Sequence, residues 1–257
     1  MRILLTNDDG IHAAGLAALE RIAAELSDDV WVCAPEYEQS GASRALTLAE
    51  PIRVRRLGDR RFATTGTPTD CVLLGIETLV EGARPDLVLS GVNRGQNAGE
   101  DVTMSGTVAG AIEAMALGVP GIALSQMGAH GPDESYAPAE AHAAAIIRRL
   151  VAAGWPNDVV MNLNFPGGEP AAITEVEVTR QGFRGVHIRR AEKRTDPRGR
   201  EYYWMGFHPE RMEPADGTDL RALQDGRISV TPLHIDLTHM PSLHALKAVL
   251  GGTLPKV

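Results

Sequence analysis

The chain has 257 residues, a length typical of one large domain. Apolar residues make up 44% and charged residues 23%, as in ordinary globular proteins. The formal net charge of -8 argues against a dedicated nucleic-acid-binding protein, because such proteins need a positive surface to release the counterions of phosphates. An acidic enzyme acting on an anionic substrate therefore needs a local source of positive charge: a metal ion, a helix N-terminus or an arginine cluster.

The two cysteines are too few for a disulfide framework. Cys33 and Cys71 both lie in apolar runs, where cysteine is usually a small core residue, so a reducing, cytoplasmic location is expected. Apolar stretches are short and acidic residues occur within the first 25 positions, which predicts neither a membrane span nor a signal peptide.

The first part of the chain alternates short apolar runs with amphipathic segments. Strands are predicted at 2–6, 30–35, 85–93 and 121–126, and helices at 13–26, 69–82, 105–118 and 139–154. This alternation is typical of βαβ units and predicts an α/β fold with a mostly parallel sheet.

The pattern changes after residue 155. A further strand is predicted at 159–166, antiparallel strands over 173–207 around a turn at 196–199, a strand at 228–233 and a terminal helix at 242–250. Since no linker separates the parts, we expect a single domain over 1–257. It comprises a core of about 1–170, a hairpin of about 178–207, and a C-terminal strand and helix of about 227–251.

Two adjacent acids, Asp8 and Asp9, follow the first predicted strand. Ligands of open parallel sheets bind beyond the carboxyl ends of the strands, and adjacent ionised carboxylates are costly without a cation. The pair therefore predicts an oxygen-ligand site for Mg²⁺ or Mn²⁺, with ordinary helix capping as the alternative. Ser40 and Asn93 follow two other strands at the same edge, and loop-stabilising turns are the alternative for each of them.

Ser105, Gly106 and Thr107 open a predicted helix whose free N–H groups could bind a phosphate, with plain N-capping as the alternative. At the helix that follows Gly66 and Thr67, capping is favoured over binding. Residues 180–200 are rich in arginine, which could attract phosphorylated anions or form a solvated hairpin. The P-loop and dinucleotide-binding glycine motifs are not found in the sequence.

Several long motifs resemble the SurE family of stationary-phase survival proteins. They are TNDDGI (6–11), APEYEQSG (34–41), GTPTDCV (66–72), PDLVLSGVNRGQN (85–97), SGTVAGA (105–111), DPRGREYYWMG (196–206) and ISVTPLHIDLT (228–238). The sequence departs from the usual family pattern at Glu36, where aspartate is common, and in the loop 42–44.

The resemblance implies a Rossmann-like sheet flanked by helices, with a β-hairpin extension and a terminal helix. It implies an enzyme, a metal-dependent 5'-nucleotidase that hydrolyses nucleoside 5'- and 3'-monophosphates and has some activity on short polyphosphate. One divalent ion, Mg²⁺ or Mn²⁺, would be held in each subunit by Asp8, Asp9, Ser40 and Asn93. It also implies a homodimer or homotetramer formed through the hairpin and the C-terminal helix.

From this site we expect Asp8 to be the catalytic residue and the phosphate contacts to be Asn97, Ser105, Gly106 and Thr107. No stable nucleic-acid partner and no membrane contact are expected. Two other classes stay open: a non-catalytic nucleotide or polyphosphate sensor, and another metal-using enzyme such as a nucleotide-sugar transferase.

Overall fold

A computed structural model describes residues 1–128, 135–184, 188–208 and 213–251. Within these residues the strands are β1 (Arg2–Thr6), β2 (Asp29–Pro35), β3 (Val54–Gly58), β4 (Arg61–Thr64), β5 (Leu87–Arg94), β6 (Gly121–Gln126), β7 (Val159–Phe165), β8 (Val176–Val178), β9 (Ile188–Thr195), β10 (Glu201–His208) and β11 (Ile228–His234). The α-helices are α1 (Ala14–Ala24), α2 (Pro68–Leu74), α3 (Gly106–Ala116), α4 (Ala137–Ala153), α5 (Asp219–Gln224) and α6 (Met240–Leu250). A π-helical segment, Gly75–Leu79, continues α2.

The main sheet has nine strands in the order β3-β4-β2-β1-β5-β6-β7-β11-β8. The six strands from β4 to β7 in this order are mutually parallel. β3 pairs antiparallel with β4, and β11 pairs antiparallel with β7. β9 and β10 form a separate antiparallel hairpin. The predicted fold, a mostly parallel sheet with a hairpin extension and a terminal helix, is confirmed.

Helices cover both faces of the sheet. α1 packs with α4, and the large core cluster includes Leu19 and Ile22 of α1 and Ile147 of α4. α2 packs with α3, and Cys71 of α2 lies with Cys33 in a second buried cluster. The two cysteines are thus core residues, as predicted. Among the described residues, no helix is both long enough and apolar enough to span a bilayer.

The chain reverses its direction of travel across the sheet at β1. From β1 it passes to β2 and then β4 on one side, and afterwards it returns to β5 on the other side and continues to β6 and β7. Helices α1 and α2 connect these strands. Such a reversal opens a crevice beyond the carboxyl ends of the two strands that flank it, here β1 and β5.

Three parts of the fold differ from the sequence-based expectation. The β3–β4 hairpin was not predicted, because β3 is an edge strand of mostly exposed residues that include Arg55 and Arg56. The six-residue helix α5 was also not predicted, since it is too short to show a helical period. Within 173–207 the strands were expected to be antiparallel, but β8 joins the main sheet parallel to β11, and only β9 and β10 form the antiparallel pair.

A buried carboxylate ties the second half of the chain to the loop after β5, and its removal is expected to destabilise the fold strongly. Asp219 is 0% exposed and accepts the main-chain N–H groups of Gly99, at 2.8 Å, and of Gly182 and Leu220, both at 2.7 Å. Asp219→Ala would leave these groups without their acceptor, at about 1–3 kcal/mol for each group that stays buried. We expect a loss of about 3 kcal/mol or more in the free energy of unfolding, measured by urea denaturation.

The matched control is Asp216→Ala, because the Asp216 side chain is 96% exposed. Its effect should stay within about 0.5 kcal/mol, as for most surface changes. Equal stabilities of the two variants would show that the Asp219 contacts contribute nothing.

Candidate functional site

The loop after β1 carries the predicted acid pair. β1 ends at Thr6, and the side chain of Asn7 donates a hydrogen bond to the carbonyl oxygen of Gly10 at 2.9 Å, which closes the turn. Gly10 has a φ of +104°, a conformation that side chains other than glycine rarely adopt. The turn holds Asp8 and Asp9 at the carboxyl end of β1, on the crevice between β1 and β5.

Asp8 is buried against the start of α3. Asp8 is 4% exposed, and its Oδ1 accepts a hydrogen bond from the hydroxyl of Thr107 at 2.5 Å. The pKa of Asp8 is raised to about 6, chiefly because the carboxyl is buried; the Thr107 hydroxyl opposes the rise, and the charge of Asp9 contributes to it. A positive charge beside this carboxyl would favour its ionised form.

Asp9 is half-buried and is tied to the end of β5. Its Oδ2 accepts the main-chain N–H of Arg94 at 3.2 Å, next to the predicted ligand Asn93. The side-chain nitrogen of Asn93 donates to the carbonyl oxygen of Gly95 at 2.8 Å. In the described part of the chain no group donates to the Oδ1 of Asn93, so this amide oxygen is available to a ligand. The structure thus brings Asp8, Asp9 and Asn93 to the same end of the paired strands.

Ser40 lies near this group, but its hydroxyl has another partner. The main-chain N–H of Gln39 donates to the carbonyl oxygen of Asp8 at 2.7 Å, which places the backbone of this loop against the acid pair. Ser40 itself is exposed, and its Oγ donates to Glu38 at 2.8 Å. To act as the ligand that the resemblance implies, the Ser40 hydroxyl would have to release Glu38 and bind the ion.

The donor set fits a hard divalent cation. It offers two carboxylates, an amide oxygen and a hydroxyl, the oxygen ligands that Mg²⁺ and Mn²⁺ prefer. The Oδ1 of Asn7, beside the acids, is buried and has no hydrogen-bond partner, which adds a further uncompensated oxygen to this region. In the described ranges, no group of three or more histidine, cysteine, aspartate or glutamate side chains forms a metal-binding cluster.

The start of α3 meets the acid pair directly. Ser105 caps the helix, since its Oγ accepts the main-chain N–H of Val108 at 3.0 Å, and the binding of a phosphate by the other main-chain N–H groups of this turn stays a prediction. A Cβ atom on Gly106 would lie 2.8 Å from the Cβ of Asp8, which explains the glycine at this position. Thr107 is fully buried, and its hydroxyl supports Asp8. At the preceding helix, Thr67 and Asp70 form a capping box, as favoured from the sequence.

The loop after β2 contacts helix α3 and the segment just before it. Ser43 donates its main-chain N–H to the carbonyl oxygen of Met104 at 3.1 Å, and Arg44 pairs with Glu113 of α3 at 2.8 Å. Positions 42–44, where the sequence departs from the usual family pattern, therefore lie against α3 and the segment before it.

Some of the described basic side chains in the arginine-rich segment 180–200 are paired with acids. Arg184 contacts Asp101 at 2.8 Å, and Arg194 contacts Glu192 at 2.9 Å. These ion pairs favour a solvated hairpin over an anion-binding surface; the side chains of residues 185–190 lie outside the described residues.

Asn97, the remaining predicted phosphate contact, is buried near the end of β5, and its side-chain nitrogen donates to Ser125 of β6 at 2.9 Å. Two side chains that hold it, Asn162 and Asn164 of β7, were missed from the sequence. Polar residues at alternate positions of the otherwise apolar VVMNLNF were the signal that could have indicated them.

The fold and the site together define a Rossmann-like α/β protein with an oxygen-rich polar site where its parallel sheet reverses. Comparison with known proteins identifies the family. The family model of survival protein SurE matches residues 3–187. A protein from Phenylobacterium zucineum, named 5'-nucleotidase SurE, is 74% identical over 257 residues, covering all of both chains.

A relative of the same name from Caulobacter vibrioides is 68% identical over 259 residues, covering 100% of this chain and 98% of its own. The crystal structure of SurE protein from Aquifex aeolicus superposes with a TM-score of 0.80 at 38% identity, covering 97% of this chain and 99% of the other. The chain therefore belongs to the SurE family, as its motifs predicted.

Proposed function

We propose that this chain is a metal-dependent phosphomonoesterase that hydrolyses nucleoside 5'- and 3'-monophosphates to nucleoside and phosphate, with a side activity on short polyphosphate. Its class, nucleotidase, is that of relatives that match it over the whole length. The observation that carries the proposal is the grouping of Asp8, Asp9 and Asn93 at the reversal of the sheet, beside the N-terminus of α3.

In this proposal Asp8, Asp9, Ser40 and Asn93 hold one divalent ion, Mg²⁺ or Mn²⁺. When bound, the ion would polarise the phosphoryl group and lower the pKa of a coordinated water. Asp8 would act as the catalytic residue. Its Oδ1 already accepts the Thr107 hydroxyl, but each carboxylate oxygen has two lone pairs, so the two oxygens together could both hold the ion and accept a proton from the attacking water.

The phosphoryl oxygens would be received at the start of α3 and by Asn97. The first turn of a helix presents main-chain N–H groups and a partial positive charge, which favour an anion. Ser105, Gly106 and Thr107 form this turn, and the carboxamide of Asn97 adds a donor. These groups would position the substrate and stabilise negative charge that develops in the transition state.

We also propose a homodimer or homotetramer that works in the cytoplasm. Tyr203, Trp204 and Met205 of the hairpin are 55%, 58% and 78% exposed, and Val249 and Leu250 of α6 are 78% and 75% exposed. Large apolar side chains exposed together on two elements are typical of an interface.

The test is phosphate release from a panel of 5'- and 3'-nucleoside monophosphates and tripolyphosphate, with Mn²⁺ or Mg²⁺ present. Release from both kinds of monophosphate supports the proposal. Binding of nucleotides without release under any metal would overturn it in favour of a sensor. Turnover that requires an added acceptor would identify a transferase instead.

Gly106→Ala is expected to impair activity while leaving the fold intact. The new methyl group would lie 2.8 Å from Cβ and 2.9 Å from Oδ2 of Asp8, and would displace the carboxylate from the site. A displacement of about 1 Å can lower the rate about 100-fold, so we expect a loss of this order in kcat/KM. Gly118→Ala at the other end of α3 is the control, since open space surrounds it and its φ of +77° affects stability alone. Equal activities of the two variants would contradict the placement of Asp8.

A further inference from the structure

The main chain of Asn97 is held by two side chains of β7. Its N–H donates to Oδ1 of Asn164 at 2.8 Å, and its carbonyl oxygen accepts from Nδ2 of Asn162 at 2.8 Å and from Nδ2 of Asn164 at 3.1 Å. The side-chain nitrogen of Asn97 donates in turn to Oγ of Ser125 at 2.9 Å. Four hydrogen bonds from two neighbouring strands thus fix one residue of the loop after β5.

The strand register explains how these groups meet. Ser125 of β6 lies directly opposite Asn164 of β7, so their side chains share one face of the sheet, and Asn162 lies on the same face two residues earlier. All three residues are 0% exposed. The loop after β5 lies against this face. There the main-chain groups of Asn97, rather than water, are the hydrogen-bond partners of the two asparagine side chains.

Stability alone does not account for Asn162. A buried carboxamide is unfavourable unless all its polar atoms are paired, and Oδ1 of Asn162 is buried without a partner, whereas both polar atoms of the Asn164 side chain bond to Asn97. An apolar residue in place of Asn162 would avoid this penalty if the loop were free to turn its main chain towards solvent. The cost is therefore consistent with a requirement to hold Asn97 in one orientation.

We propose that Asn164, assisted by Asn162, is a positioning residue that fixes the Asn97 main chain so that the Asn97 carboxamide is preset to bind a phosphoryl oxygen. The inference rests on the proposed function, which makes Asn97 a phosphate contact. One amide hydrogen of Asn97 is used by Ser125, and the second is available to the ligand. A donor that is already oriented needs no rearrangement when the ligand binds, which increases its contribution to affinity and to catalysis.

The experiment compares Asn164→Ala with Thr231→Val. Thr231 is equally buried on the neighbouring strand β11, directly opposite Asn162, and within the described part of the chain its hydroxyl bonds only to Thr179 and Ser229. Both variants remove buried hydrogen bonds from the same part of the sheet, but only the first releases Asn97. The readouts are the affinity for inorganic phosphate, by calorimetry with Mg²⁺, and kcat and KM for a 5'-nucleoside monophosphate.

Asn164→Ala is expected to weaken phosphate binding and lower kcat/KM about 10-fold or more, while Thr231→Val leaves both within about twofold. Asn162→Ala should have a smaller effect, because Asn164 still holds both main-chain groups of Asn97. Equal phosphate affinities of wild type, Asn164→Ala and Thr231→Val would overturn the proposal and leave the asparagines a purely structural role.

Two further outcomes separate this inference from the proposed function. If the wild-type chain binds phosphate but releases none from nucleotides, the proposed function fails, and the affinity comparison still decides the role of Asn164. A wild-type chain that binds no phosphate and releases none from nucleotides overturns both, whereas one that releases phosphate without binding it overturns only the role given to Asn164. If Asn164→Ala does not fold, Ser125→Ala replaces it, since it removes the acceptor that orients the Asn97 side chain and should weaken phosphate binding to a similar extent.

Discussion

Replacing Asp8 with asparagine is expected to reduce phosphate release by several orders of magnitude without unfolding the protein. The substitution keeps the shape of the side chain and an oxygen for the Thr107 hydroxyl, and it removes a carboxyl whose burial already opposes its charge. What it removes is an anionic ligand and the group proposed to accept the proton of the attacking water. The measurement is kcat with saturating Mn²⁺, accompanied by a thermal unfolding curve.

Each tenfold loss in rate corresponds to about 1.4 kcal/mol of activation free energy. A folded Asp8→Asn variant that retains more than about a tenth of the wild-type rate would contradict the role assigned to Asp8. Thr231→Val, which is remote from the acid pair, serves as the matched control and should retain full activity.

Removing the metal is expected to nearly abolish turnover. Without a cation, Asp8 and Asp9 would present two carboxylates to an anionic phosphate, and the repulsion would weaken both substrate binding and catalysis. The measurement is phosphate release after dialysis against a chelator, followed by back-titration with Mn²⁺, Mg²⁺ or Ca²⁺.

Recovery on addition of Mn²⁺ or Mg²⁺ is the expected result. Chelated protein that keeps most of its rate would show that the acid pair does not need an ion. Release of phosphate by a contaminating phosphatase is excluded if Asp8→Asn protein, purified in the same way, stays inactive after the same additions.

The regular parts of the fold were predictable because their patterns are local. β1, α1 and β5 show their periods within single windows of the chain, and the Asp-Pro-Arg-Gly turn indicates the hairpin. β3 was not predictable in this way, since an exposed edge strand rich in arginine shows no apolar period. β8 has three residues and is defined by its partner β11, which lies some fifty residues away in the sequence.

The candidate site, too, was predictable in part. The acids after β1 and the amide at the end of β5 could be placed together, because parallel strands end at one edge of a sheet. The contact between Thr107 and Asp8 could not, since it joins residues 99 positions apart and depends on how α3 packs. The same holds for Asn164 and Asp219, whose partners are fixed by strand register and loop packing across the whole chain.

The most direct test of the metal site is the binding of Mn²⁺, followed by electron paramagnetic resonance in titrations of wild type, Asp8→Asn and Thr231→Val. We expect one bound ion per chain in wild type and in Thr231→Val, and a large loss of affinity in Asp8→Asn. Undiminished binding by a folded Asp8→Asn variant would place the ion elsewhere and contradict a catalytic centre at the end of β1.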